Sequence, residues 1–220
     1  MNSLLSKLYN ISINIGGDFV KFKYPSGSLS AKQPNLSINL KNRETIYSNR
    51  GMSLEEELNL SNKFYLEHDI AVIHKKPTPI QIVKVDYPKR SAAIIKEAYF
   101  SKASTTDYNG IFKGRYIDFD AKETKNTTSF PLNNFHAHQI KHLRKCQKLG
   151  GICFTIVKFV KLEKIFLLSA SILFQYWDNM QNNGRKSIPL KVFEQQGIAI
   201  DYQINPLIPY LDAVNQLITD

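Results

Sequence analysis

A chain of 220 residues fits one domain with appendages more easily than two full domains, and 43% hydrophobic residues suffice for a buried core, which excludes wholesale disorder. A net charge of +10 selects a polyanionic partner, nucleic acid first and an anionic membrane surface second. The longest apolar stretch, residues 152–177, is interrupted by Lys158, Lys161, Glu163 and Lys164, which excludes a transmembrane helix.

The N-terminal "MNSLLSKLYNISINIGG" has no run apolar enough for a secretory signal. Two cysteines, Cys146 and Cys153, make neither a disulfide framework nor a zinc knuckle, so a reduced cytoplasm is the expected setting. Residues 24–50 are rich in Ser, Asn, Pro and Gly without periodicity. They place a flexible arm over residues 1–46 and a folded domain over 47–220.

In that domain Ser53 and Glu56 form a capping box, and Leu54, Leu58, Ser61 and Tyr65 share one helical face. A strand "IAVIHKK" follows. Residues 80–85 then alternate between proline boundaries, opening an insertion at about 76–104. "TTDYNGIFKGRYIDFDAKETK" has the pattern of a β-meander, with turns expected at Asn109-Gly110 and Lys113-Gly114. A helix is expected from about Pro131 to Leu149, closed by Gly150-Gly151. "ICFTIVKFV" and "KIFLLSASILFQYW" form an antiparallel pair, or a strand followed by a short helix. "NNGRKSIP" is a basic turn, and "PLIPYLDAVNQLI" a terminal helix. The order gives an α/β or α+β sandwich around one mixed sheet.

The strand "YIDFDAKETKN" carries the chemistry. Ile117, Phe119 and Ala121 occupy one face, and Asp118, Asp120 and Lys122 the other. Asp107 lies thirteen residues before Asp120, so a hairpin would bring two carboxylates together. Like charges brought close must shift their pKa or be neutralised by a cation. Hard divalent ions, Mg²⁺ above all, suit such a pair. Lys122 would then orient or deprotonate an attacking water, or stabilise charge on a phosphorane. Gln139 falls in the apolar stripe of the next helix, where a buried amide is either bonded in the core or aimed at a site.

Asp107, Asp120-x-Lys122 and Gln139 together resemble the PD-(D/E)xK nuclease superfamily. With "SNRGMSLEEELN", "IAVIHKKPTPIQIVKVDYPKRSAAIIKEAYF", "SFPLNNFHAHQI" and "NGRKSIP", the chain resembles the RecU Holliday junction resolvases from about Tyr24 to near its C-terminus. The resemblance implies a restriction-endonuclease-like core, a central mixed β-sheet flanked by helices, with a protruding stalk. It implies a Mg²⁺-dependent homodimer, with Mn²⁺ as substitute, that nicks opposed strands of four-way junction DNA in recombination and repair. Recombinase or branch-migration proteins are expected partners. Thr105, Asp107, Asp120 and Gln139 fall on the family's metal-site positions and Lys122 on its transition-state lysine. The family usually has Glu where this chain has Asp120, and residues 1–20 extend beyond its usual start. The alternatives are a non-cleaving junction-binding or recombinase-regulating protein, and a related nuclease acting on other DNA.

Lys75, Lys76, Lys84, Lys89, Arg90 and Lys96, with Tyr99 and Phe100, are the expected DNA contacts of the stalk, and Arg115 and the Gly184-Arg185-Lys186 turn add phosphate contacts. His138 and His142 have the spacing of a zinc pair but lack a third ligand, so zinc is not expected.

Overall fold

The computed structural model describes residues 52–86, 93–100 and 105–219; the expected arm lies outside them. Helix α1 (Leu54–Glu67) opens on the expected capping box: the Ser53 N–H donates to Glu56 Oε2 at 2.8 Å, and the Glu56 N–H to Ser53 Oγ at 3.4 Å. All four residues of its expected inner face are buried.

Strands β1 (Ala71–Lys75), β4 (Tyr108–Phe112), β5 (Arg115–Thr124), β7 (Ile152–Phe159), β8 (Lys164–Ser169) and β10 (Ile198–Ile200) form one six-stranded sheet in the order β1-β4-β5-β7-β8-β10. Only β5 and β7 run parallel. That pair needs a crossover, supplied by helix α2 (Ala137–Lys148). Among the described residues, strands β2 (Ile80–Asp86) and β3 (Ile94–Phe100) pair only with each other, as a ribbon inserted between β1 and β4. Ile80, Ile82, Val83, Ile94, Ile95 and Tyr99 are all exposed on it, which fits the expected stalk.

Helices cover both faces of the sheet. On one, α1 and α5 (Tyr210–Thr219) enclose a core containing Ile117, Phe119, Phe154, Ile156 and Tyr210. Phe119 is fully buried between Tyr108 and Phe154, with ring centroids 4.9 and 4.7 Å away. Burying a side chain of this size contributes about 2–3 kcal/mol. On the other face, α2, α3 (Ala170–Gln181) and α4 (Leu190–Gln196) pack over Val157, Phe159, Phe166 and Leu168. A short pair, β6 (Ser129–Pro131) with β9 (Ser187–Pro189), joins the approaches to α2 and α4.

Two local expectations change. Asn109-Gly110 is not a turn but the middle of β4, opposite Ile73 and Ile117. Its glycine meets a different need: a Cβ there would lie 2.1 Å from the Val72 carbonyl oxygen, so only glycine lets β1 approach this closely. The helix expected from Pro131 begins at Ala137. Pro131 is taken by pairing with Ser187, residues 132–134 form one 3-10 turn, and Phe135 and His136 are extended. At the other end Gly150, at φ +90°, closes α2 as expected. The second apolar segment resolves into strand β8 and then helix α3. No helix among the described residues is long and apolar enough to cross a membrane.

Candidate active site

Strand β5 is buried on both faces, so its charges are not a solvated outer surface: Asp118 and Asp120 are each 0% exposed. Asp107 immediately precedes β4, whose first pair is Tyr108 with Phe119, and this sets it beside Asp120 as the hairpin argument requires. The Ala121 N–H donates to Asp107 Oδ2 at 3.2 Å and pins that carboxylate to the strand. Lys122 bridges the two acids, its Nζ lying 3.1 Å from Asp107 Oδ2 and 3.2 Å from Asp120 Oδ1. Gln139 reaches down from the first turn of α2. Its Nε2 donates to Asp120 Oδ1 at 2.9 Å, and its Oε1 accepts the His136 N–H at 3.0 Å. One amide thus caps the helix and fixes the Asp120 carboxylate, which explains a buried Gln in an apolar stripe.

These contacts leave Asp120 Oδ2 buried and without a protein donor. Burial pushes the Asp120 carboxyl up to about 8; Lys122 counters this, and the charge and hydrogen bond of Asp107 add to it. Burial also opposes ionisation of Asp107, but the hydrogen bond with Asp120 and the Lys122 ammonium prevail and hold it below the usual range. Desolvation works against the Lys122 charge, and the two carboxylates overcome it, raising its pKa. Burial thus favours the protonated form of Asp120, while its neighbours favour the charged forms of Asp107 and Lys122.

Over residues 49–216 the sequence matches the family described as recombination protein U. The chain belongs to the RecU family. Relatives named Holliday junction resolvase RecU include one from Pediococcus pentosaceus, 69% identical over 90% of this chain and 98% of that protein. The Ligilactobacillus salivarius relative is 59% identical over 90% of this chain and 99% of its own length, and one from a Geobacillus strain 56% identical over 89% and 97%. Among solved structures, that of the Holliday junction resolvase Hjc from Archaeoglobus fulgidus aligns with 64% of this chain and 93% of its own at 9% identity, with a TM-score of 0.35.

Of the positions that the RecU resemblance marks, Asp107, Asp120, Lys122 and Gln139 converge. Among the described residues Thr105 makes no such contact: its hydroxyl donates to the Thr106 carbonyl at 3.4 Å. The expected DNA contacts divide. Lys84 and Arg115 are exposed; Lys96 pairs with Asp86 at 3.3 Å, and the Tyr99 hydroxyl donates to Glu97 at 2.6 Å, both on the ribbon. Lys75 pairs with Glu55 at 2.5 Å. Lys76 turns inward, with its side chain 17% exposed and its ammonium on Asp118. Lys89, Arg90 and the side chain of Phe100 lie outside the described residues. The histidines do not face one centre: His138 stacks on His136, while His142 meets Asp118.

Sequence reasoning passed over a second polar cluster. Asp118 accepts from Lys76 Nζ at 2.9 Å, Tyr116 Oη at 2.6 Å and the Thr106 hydroxyl, and meets His142 Nε2 at 3.0 Å. Burial alone would raise its pKa, but these donors outweigh burial and lower it. The signal was present in the strand pattern, since Asp118 shares the face of Asp120. Its partners come from three other places in the chain, so spacing could not name them. Glu57, also buried, is held by Lys158 at 2.8 Å through each oxygen and by the Tyr202 hydroxyl.

Proposed function

We propose that this protein is a divalent-metal-dependent endonuclease that resolves four-way DNA junctions by paired nicks in opposed strands. The observation that carries this reading is the pair Asp107 and Asp120 under one ammonium, with Asp120 Oδ2 buried and unpartnered. An orphaned carboxylate oxygen beside a second carboxylate suits a hard cation and fits an oxygen-coordinated Mg²⁺, with Mn²⁺ as a substitute. Asp120 and Asp107 would hold it, Gln139 would orient Asp120, and Thr105 would serve at the margin. When bound, such an ion supplies Lewis acidity, polarising a phosphate oxygen and acidifying water.

The protein's own residues set the rest. Lys122, held by both carboxylates, has an electrostatic part: its ammonium faces the phosphoryl group as negative charge grows there. Water adds to phosphorus in line with the departing ester oxygen and gives up a proton to solvent, the P–O ester bond breaks, and the leaving oxygen takes up a proton from solvent. Asp107 and Asp120 keep the ammonium in place, and α2 roofs the site.

The named relatives supply the junction as substrate, and the exposed ribbon with its lysines supports it. Backbone-directed contacts would read shape more than sequence. Two nicks in a two-fold substrate call for two copies, so the working form is a homodimer in the cytoplasm. The test is cleavage of a labelled synthetic junction and its matched linear duplex, in Mg²⁺ and in EDTA. Junction-only paired nicks lost in EDTA support the reading. Equal duplex cleavage points to a related nuclease of other substrate, and binding without cleavage to a junction-binding protein.

A further inference from the structure

The insertion that leaves β1 and returns to β4 begins and ends at one buried carboxylate. Lys76 is its first residue after β1 and Thr106 lies just before Asp107. The Lys76 N–H donates to the Asp107 carbonyl at 2.8 Å, closing the neck of the insertion through backbone. The Lys76 ammonium donates to Thr106 Oγ1 at 2.7 Å and to Asp118 Oδ2 at 2.9 Å, and the Thr106 hydroxyl donates to Asp118 Oδ1. Asp118 is immobilised from two further directions, by Tyr116 Oη and by His142 of α2.

Asp118, His142 and Cys146 bring ligand atoms within 4.8 Å of one another, a spacing that would admit a metal ion. The Lys76 ammonium already takes the cation's place there, 2.9 Å from Asp118 and 3.5 Å from His142. The cluster is a clasp with a built-in cation.

The register shows what the clasp holds. The β4–β5 ladder ends at Tyr108 with Phe119, so Asp107 lies beyond the last strand pair. Its placement rests on the Ala121 N–H, the Lys122 ammonium and the clasped neck. Asp118 and Asp120 are on one face of one strand, a single pleat apart. We propose that Lys76, Thr106 and Asp118 are positioning residues that lock the neck of the ribbon to the catalytic strand and thereby set Asp107 against Asp120. Resting on the metal-site reading above, this couples the neck from which the ribbon leaves to the spacing of the two carboxylates, which ties catalytic competence to engagement of the substrate. Lys76 thus serves the reaction from inside the protein and not as a phosphate contact.

The test uses the full-length protein with Thr106→Val, which removes one hydroxyl at nearly constant shape, Thr106→Ser, which restores it, and Lys76→Met. The first readout needs no DNA: the rise in melting temperature on titrating Mn²⁺, compared with wild type. The second is junction affinity in EDTA. The third is single-turnover cleavage at saturating protein against metal concentration. The clasp predicts that Thr106→Val and Lys76→Met need several-fold more metal for the same melting shift and cleave at least ten-fold more slowly. Junction affinity should change less than three-fold, and Thr106→Ser should track wild type. Wild-type metal responses in both variants would overturn the proposal. So would a Lys76→Met protein whose only defect is junction affinity, because Lys76 would then be a DNA contact. If wild type responds to Mn²⁺ but cuts no junction, the resolvase reading fails while the melting shifts still decide the clasp.

Discussion

Replacing Asp120 with Asn should destroy cleavage and yet stabilise the metal-free protein. In the metal-free fold, burial pushes the Asp120 carboxyl up to about 8, whereas an unfolded aspartate releases its proton near the ordinary value of 3.8. The stability tied to that proton is fully present below pH 3.8 and is lost as pH rises toward 8, because the unfolded chain ionises first. At about 1.4 kcal/mol per factor of ten in proton affinity, the ceiling on that loss is roughly 6 kcal/mol. The actual loss is smaller, because Asp107 moves in the opposite direction within the same pair. Asparagine cannot ionise, and its Oδ1 still accepts from Gln139 and Lys122. Urea denaturation in EDTA should find Asp120→Asn about 2–4 kcal/mol more stable than wild type at pH 8 and equal to it at pH 4. Mg²⁺ should then stabilise wild type and leave the variant unchanged. Parallel pH profiles for the two proteins between pH 4 and 8 would instead show Asp120 to be an ordinary carboxylate.

Lys122→Met should retain junction affinity in EDTA while single-turnover cleavage falls by roughly two orders of magnitude or more, the scale for loss of one transition-state donor. Phe119→Ala empties the space between Tyr108 and Phe154 and should cost about 3–5 kcal/mol in urea denaturation, with the metal response of the remaining folded protein preserved. Glu57→Ala strands the Lys158 ammonium, whose side chain is only 11% exposed. It should cost roughly 3–5 kcal/mol, with Glu57→Gln milder because its amide oxygen still accepts.

Where information was local, the sequence was sufficient. Ser53 and Glu56 marked a helix start, Gly150 a helix end, and the alternation from Ile117 to Lys122 separated a core face from a polar one. The carboxylate pair was legible because a hairpin converts a thirteen-residue separation into contact. Gln139 was legible because an amide in an apolar stripe must be satisfied, and here Asp120 and His136 satisfy it. The failures came where distant segments decide. Gly110 sits in a strand because Val72 crowds it, and Pro131 leaves the helix because Ser187 pairs with it. Lys76, like its neighbour Lys75, has the appearance of a surface cation in one dimension. Only the fold reveals a buried acid forty-two residues further on that claims it.

Metal-dependent cleavage of a four-way junction by the Asp107–Asp120 pair is open to direct measurement. Its most direct test is a junction with each strand labelled in turn, incubated in Mg²⁺ with wild type and with Asp107→Ala at protein concentrations where both are fully bound. Wild type should give paired nicks on opposed strands, and the variant should bind the junction and leave it intact. Undiminished nicking by Asp107→Ala would place the chemistry elsewhere and contradict that expectation.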